Sequence, residues 1–100
     1  DDLILYMERE CRGQIKGARV LELGCGHALP AIYAAKMGAR EVHVQDYNVE
    51  VVERLTIPNA QANLTQEDQG CTLRYFAGDW RCLKEVLPTP RKYDLILTSE

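Results

Sequence analysis

The sequence lacks an apolar run approaching the about 18 residues a membrane-spanning helix needs, and it has little aromatic material: one Trp, one Phe and five Tyr. It also lacks a basic excess. Twelve Lys and Arg face 15 Asp and Glu, for a net charge of −3, so the electrostatic footprint of direct nucleic-acid binding is missing. The four cysteines, Cys11, Cys25, Cys71 and Cys82, include no C-x-x-C pair. His27 and His43 do not complete a ligand set with them, so no zinc or other metal site is expected. The start, Asp1-Asp2-Leu3, is acidic and has no signal-peptide n-region. Unpaired cysteine spacing without such a leader predicts a reduced protein of the cytoplasm, the nucleus or both. No internal repeat, low-complexity tract or long linker interrupts the chain.

What is present suits one small globular domain: 100 residues, 46% of them hydrophobic. Leu3, Ile4, Met7 and Cys11 recur at helical spacing and predict a helix over 1–12. Arg19 to Leu23 is a short apolar run ending at a glycine, a buried strand. Leu29 to Met37 is Ala-rich, with Gly38 placed as a helix C-cap. Glu41 to Gln45 is a second strand, with Val42 and Val44 on one face. Asn48 is suited to cap a helix over 49–55. Pro58 is expected to interrupt it before another turn or two to Leu64. Thr72 to Ala77 is a third strand, Trp80 to Leu87 a short helix, and Tyr93 to Thr98 a fourth strand beyond the breakers Pro88 and Pro90.

Helix and strand thus alternate four times. That order predicts an α/β fold, a Rossmann-like parallel sheet with right-handed crossovers and helices on both faces. In such sheets a ligand lies beyond the carboxyl ends of the strands, so the strand tips carry the functional argument.

The first tip is Glu22-Leu23-Gly24-Cys25-Gly26-His27-Ala28-Leu29-Pro30. Two glycines permit a tight turn and close ligand approach, although a G-x-G alone equally suits a structural turn. Leu29 stands where the third glycine of a dinucleotide fingerprint belongs. Glu22, two positions before the loop, disfavours an anionic ligand and favours one with a positive amino or sulfonium group. S-adenosylmethionine (SAM) carries both groups. At the second tip Asp46 follows Gly24 by 22 residues, near the spacing of about 20 for a ribose-binding carboxylate. Tyr47 and Asn48 lie beside it. At the third tip, Gly78-Asp79-Trp80, Asp79 can accept from an adenine amino group and Trp80 can pack on the ring. The fourth tip is Thr98-Ser99-Glu100. His43, mid-strand between Val42 and Val44, suits a packed or surface role rather than catalysis.

The segments LELGCGHALP, VQDYN, AGDW and YDLILTSE resemble the class I, seven-β-strand SAM-dependent methyltransferases, and among them the family 16 protein methyltransferases. QDYN, IPNAQANL and LTSE are most similar to the protein-histidine N-methyltransferase branch, which modifies a large-subunit ribosomal protein. The resemblance spans about Gly17 to Glu100. It implies that Glu22, Gly24 and Gly26 meet the amino-acid end of SAM. It places Asp46, Tyr47 and Asn48 at the ribose and Gly78, Asp79 and Trp80 at the adenine. Ser99 and Glu100 open a motif at the methyl-transfer pocket, where Glu100 is the candidate to orient the acceptor. Ala28-Leu29-Pro30 departs from the more usual Gly-Leu-Pro. The family sheet has strand order 3-2-1-4-5-7-6, and this sequence supplies strands 1 to 4. The implied unit is therefore a partial domain over 1–100, whose fourth strand would leave an apolar edge unpaired. The resemblance implies a protein substrate, with neither membrane nor direct nucleic-acid partner. A lysine acceptor, an NAD-dependent oxidoreductase and an inactive fragment acting only through partner contacts remain as alternatives, and the oligomeric state is not implied.

Overall fold

A computed structural model gives the fold of residues 2–68, 70–79, 81 and 93–98. Four parallel strands, β1 (Arg19–Leu23), β2 (Glu41–Asp46), β3 (Thr72–Ala77) and β4 (Leu95–Thr98), form one sheet in the order β3-β2-β1-β4. That is the order the resemblance implies, and every pair of neighbouring strands is parallel, as the alternation of helix and strand predicts. The register sets Val20 beside Val42 and Leu95, and Val44 beside Glu22 and Tyr75. The ends of β1, β2 and β3 therefore finish side by side.

The first helical segment runs through α1 (Asp2–Tyr6), a π-helical stretch (Met7–Cys11) and α2 (Arg12–Ile15), three residues past the expected end at Arg12. Met7, Cys11 and Ile15 fall on its buried side. They pack with Val20, Val42, Val44 and Leu97 of the sheet and with Ala31, Ala34 and Ala35 of α3 (Leu29–Lys36). Alanines on the inner side of α3 let it lie close against β1 and β2. Gly38 ends that helix as expected, at φ +97, a left-handed conformation that side chains resist.

The third helical segment shows how Pro58 is accommodated. Asn48 caps α4 (Val49–Val51) by accepting from the Glu50 amide at 2.8 Å. The chain then widens into a π-helical turn (Val52–Thr56) and continues as α5 (Ile57–Asn63). A proline has no amide proton, and its ring crowds the carbonyl four residues back. The wider turn before Pro58 relieves that conflict, so the helix changes pitch where a break was expected.

On the other side of the sheet His43 is fully buried. Its ring nitrogens lie 2.6 Å from the Tyr93 hydroxyl and 2.7 Å from a Glu41 carboxylate oxygen. It holds β2 to the residues before β4, the packed role expected of it. Cys11, Cys25 and Cys71 are free thiols, and no metal-binding cluster occurs among the described residues. No described helix is long and apolar enough to cross a membrane. Apart from Arg81, the expected helix from Trp80 to Leu87 lies outside the described residues, as do the candidate site residues Trp80, Ser99 and Glu100.

Candidate functional site

The loop between β1 and α3 is built from left-handed residues: Gly24 at φ +61, Gly26 at +49 and Ala28 at +62. Two are glycines, for which this conformation is free of strain. Ala28 adopts it with a Cβ present, which costs about 1–2 kcal/mol. Nothing lies within 4 Å of the point where a Cβ on Gly26 would sit, so the loop opens onto free space at the strand tips.

The loop is held from β2. The Gly24 amide donates to the side-chain Oε1 of Gln45 at 3.1 Å, and the Cys25 amide to the Gln45 backbone carbonyl at 2.8 Å. The Gly26 amide donates to Asp46 Oδ2 at 3.2 Å. The other Asp46 oxygen accepts from the Asn48 amide at 3.1 Å. Asp46 is thus fixed at the tip with both oxygens oriented, while its side chain stays partly open to solvent. Tyr47 and Asn48 flank it and are exposed.

Glu22 is 1% exposed and turns towards α3, where its Oε1 accepts from the Ala31 amide at 3.0 Å. Burial pushes its carboxyl up to about 7, against a smaller opposing effect of that amide bond. The acidic residue singled out from the sequence therefore sits beneath the loop, closing the amino end of α3.

The third tip joins the second. The Gly78 amide donates to the Asp46 carbonyl at 2.8 Å, and Gln45 Nε2 donates to the Gly78 carbonyl at 2.5 Å. Gly78 lies at φ +119, with open space where a Cβ would project. Asp79 is engaged by Arg81, whose guanidinium approaches to 2.6 Å and whose amide donates at 2.9 Å. These bonds hold the Asp79 carboxyl below its ordinary range. Gly24, Gly26, Asp46, Gly78 and Asp79 thus gather at one edge of the sheet.

Most of the amides at this edge are already engaged. A dinucleotide cradle needs free amides at the loop and at the following helix. Here the amides of Gly24, Cys25 and Gly26 are taken by β2, and Ala28 donates to the Cys25 carbonyl at 2.7 Å. In α3, Pro30 has no amide proton and Ala31 is bound to Glu22.

Three supporting residues were not singled out as site residues in the sequence. Gln45 is buried at 1% exposure. Thr56, fully buried, donates to the Gly26 carbonyl at 2.6 Å. Asn59 donates to the His27 carbonyl at 2.6 Å. The π-helical turn before Pro58 places Thr56 against the loop, and Asn59 follows on the same side. A polar residue such as Gln45 in a central, doubly covered strand is the one trace the sequence offered, because such groups must find partners.

No family model matches the chain. It aligns over 99% of its length with the protein named histidine protein methyltransferase 1 homolog from Bos taurus, at 39% identity. The protein of that name from Dictyostelium discoideum is 40% identical over 99 residues. The chain is thus similar over its whole length to part of these histidine protein methyltransferase 1 homologues. It spans about a third of the length of these relatives: 33% of the bovine protein and 30% of the Dictyostelium protein. Solved methyltransferases share its fold. The protein arginine methyltransferase 10 of Arabidopsis thaliana superposes with a TM-score of 0.70 at 21% identity, covering 98% of this chain and 25% of that one. A putative RNA methyltransferase from Pyrococcus horikoshii gives 0.66 at 26% identity, covering 97% and 40%.

Proposed function

We propose that this chain supplies the SAM-binding half of a protein methyltransferase that modifies histidine, with a large-subunit ribosomal protein as substrate. The observation that carries this reading is the convergence of Gly24, Gly26, Asp46 and Gly78 at one sheet edge, with the Gly24, Cys25 and Gly26 amides bonded to β2. The names borne by the relatives support histidine as the acceptor.

When bound, SAM supplies an electrophilic methyl group on a sulfonium sulfur. Asp46 would accept from the ribose hydroxyls, with Tyr47 and Asn48 beside it. Gly24 and Gly26 leave room for the amino-acid end of the cofactor, and buried Glu22 supplies negative charge beneath it. Gly78 and Asp79, with Trp80, would border the adenine, while Ser99 and Glu100 would lie towards the acceptor. The protein's contribution is then chiefly positioning, which supplies about 7–11 kcal/mol in well-oriented reactions. A neutral imidazole, with an ordinary pKa of about 6.5, is a competent nucleophile without a strong base. Its proton leaves to solvent after the nitrogen–methyl bond has formed and the sulfur–methyl bond has broken. Such a substrate is met in the cytoplasm and nucleus, and we place the protein there.

The test is methyl transfer from radiolabelled SAM to purified ribosomal proteins, using the full-length protein that contains this chain, with the label mapped by mass spectrometry. Label on a histidine of a large-subunit protein is expected. Label on lysine would overturn the acceptor assignment, and label on no ribosomal protein would overturn the substrate.

A further inference from the structure

The two loops that border the proposed cofactor site are tied together by one buried side chain. Gln45 lies in β2, the strand between β1 and β3, one residue before Asp46. Its amide oxygen accepts from the Gly24 amide at 3.1 Å, and its amide nitrogen donates to the Gly78 carbonyl at 2.5 Å. Its backbone carbonyl also accepts from the Cys25 amide at 2.8 Å. One residue therefore contacts the first tip twice and the third tip once.

The bridge is chemically demanding. It needs an acceptor on one side and a donor on the other, at the reach of a Gln side chain. A carboxylate supplies only acceptors, and would set two oxygens against each other at Gly78. A protonated carboxyl supplies one of each. Methionine matches the length and offers neither. Because Gln45 is 1% exposed, water cannot readily take over either bond, and removing it leaves a buried amide and carbonyl without partners. Both loops carry a glycine in a left-handed conformation, Gly24 at φ +61 and Gly78 at φ +119. Glycine backbones are free to adopt other conformations; Asp46 and the β2 backbone anchor each loop to β2, and the Gln45 side chain bonds both loops at once.

We infer that Gln45 is a positioning residue: its side-chain amide sets the separation of the glycine loop and the Gly78 loop, and thereby the affinity for SAM. Gln45 is buried beneath the site and acts through the two loops. The inference rests on the SAM reading above.

The experiment compares the full chain with Gln45→Met and Gln45→Glu. SAM affinity is measured by calorimetry from about pH 5 to about pH 9, each variant relative to the unsubstituted protein at the same pH. Melting curves without ligand check that the variants are folded. Loss of the bridge should weaken binding by roughly tenfold or more in Gln45→Met at every pH. Gln45→Glu should bind normally at low pH and lose affinity as its buried carboxyl ionises. A general packing defect would not produce that pH profile. Binding by Gln45→Met within about twofold of the unsubstituted protein, or a Gln45→Glu profile that parallels Gln45→Met throughout, would overturn the inference. If the unsubstituted, folded protein does not bind SAM, the cofactor reading itself fails. Hydrogen exchange at the Gly24 amide then decides the bridge separately. Faster exchange in Gln45→Met sustains it, and unchanged exchange overturns it.

Discussion

Thr56 donates its hydroxyl proton to the carbonyl of Gly26 at 2.6 Å, from a side chain with no solvent exposure. Its oxygen is then left to accept from the Cys25 thiol, 3.6 Å away. That thiol stays protonated, because burial pushes it up to about 11. Replacing Thr56 with Val keeps the shape and leaves both groups unpartnered. The expected loss is about 1–3 kcal/mol of folding stability, with weaker SAM binding because the Gly26 carbonyl is no longer anchored. Thr56→Ser, which loses only a methyl group, should cost about 0.8 kcal/mol and keep the affinity. Urea denaturation and calorimetric titration of the two variants check this.

Glu22 gives the unliganded protein a pH dependence. Its carboxyl is raised from 4.5 to about 7 in the fold. Between those values the folded state holds more protons than the unfolded state. The stability contributed by the neutral form is therefore complete below about 4.5 and is lost as the pH rises through about 7. The loss is on the order of 3 kcal/mol. Glu22→Gln keeps an acceptor for the Ala31 amide and should remove this dependence. Denaturation midpoints across that interval, compared for the two proteins, test it. Indistinguishable slopes would contradict the assignment. A cationic ligand favours the carboxylate, so SAM binding at about pH 6 should release protons, visible as buffer-dependent binding enthalpies.

Ala28 stands in a left-handed conformation and is almost fully buried. Ala28→Gly relieves about 1–2 kcal/mol of strain but gives back about 0.4–1 kcal/mol through unfolded-chain entropy and about 0.8 kcal/mol through the lost buried methyl, so stability should stay within about 1 kcal/mol of the original. Ala28→Val places a β-branched side chain where the backbone resists it, and should destabilise by about 2–3 kcal/mol. Thermal melts of both variants decide the sign.

Asp46 combines two tasks, orienting the glycine loop and presenting a carboxylate at the tip of β2. In Asp46→Asn one oxygen becomes an amide group that cannot accept from Gly26 or Asn48. SAM affinity should fall by roughly tenfold or more, while the melting temperature falls by only a few degrees. Calorimetry together with thermal melts separates the two effects.

The fold was largely legible because its periodicities are strong. Val20-Leu21 is an apolar run in a strand buried on both faces, and Gly38 marks a helix end, whereas Ile96 in the equally apolar run of β4 is exposed. The glycine loop was legible because tight turns restrict residue type, and Asp46 does end β2 beside it. The orientation of Glu22 was not. Its charge suggested a cationic ligand, while its side chain turns to the amino end of α3, a choice made by three-dimensional burial. Thr56 and Asn59 were silent for a similar reason. Their helix was expected to break near Pro58, whereas it continues through a π-helical turn that brings both residues to the loop. Gln45 was in view as a strand residue, but a bridge between two loops distant in sequence depends on the order of the strands in the sheet.

The most direct test of the central claim is calorimetric titration of the folded chain with SAM and, separately, with NAD. Saturable binding of SAM, with a matching rise in melting temperature and no response to NAD, is the predicted result. Binding of NAD without binding of SAM would contradict the account.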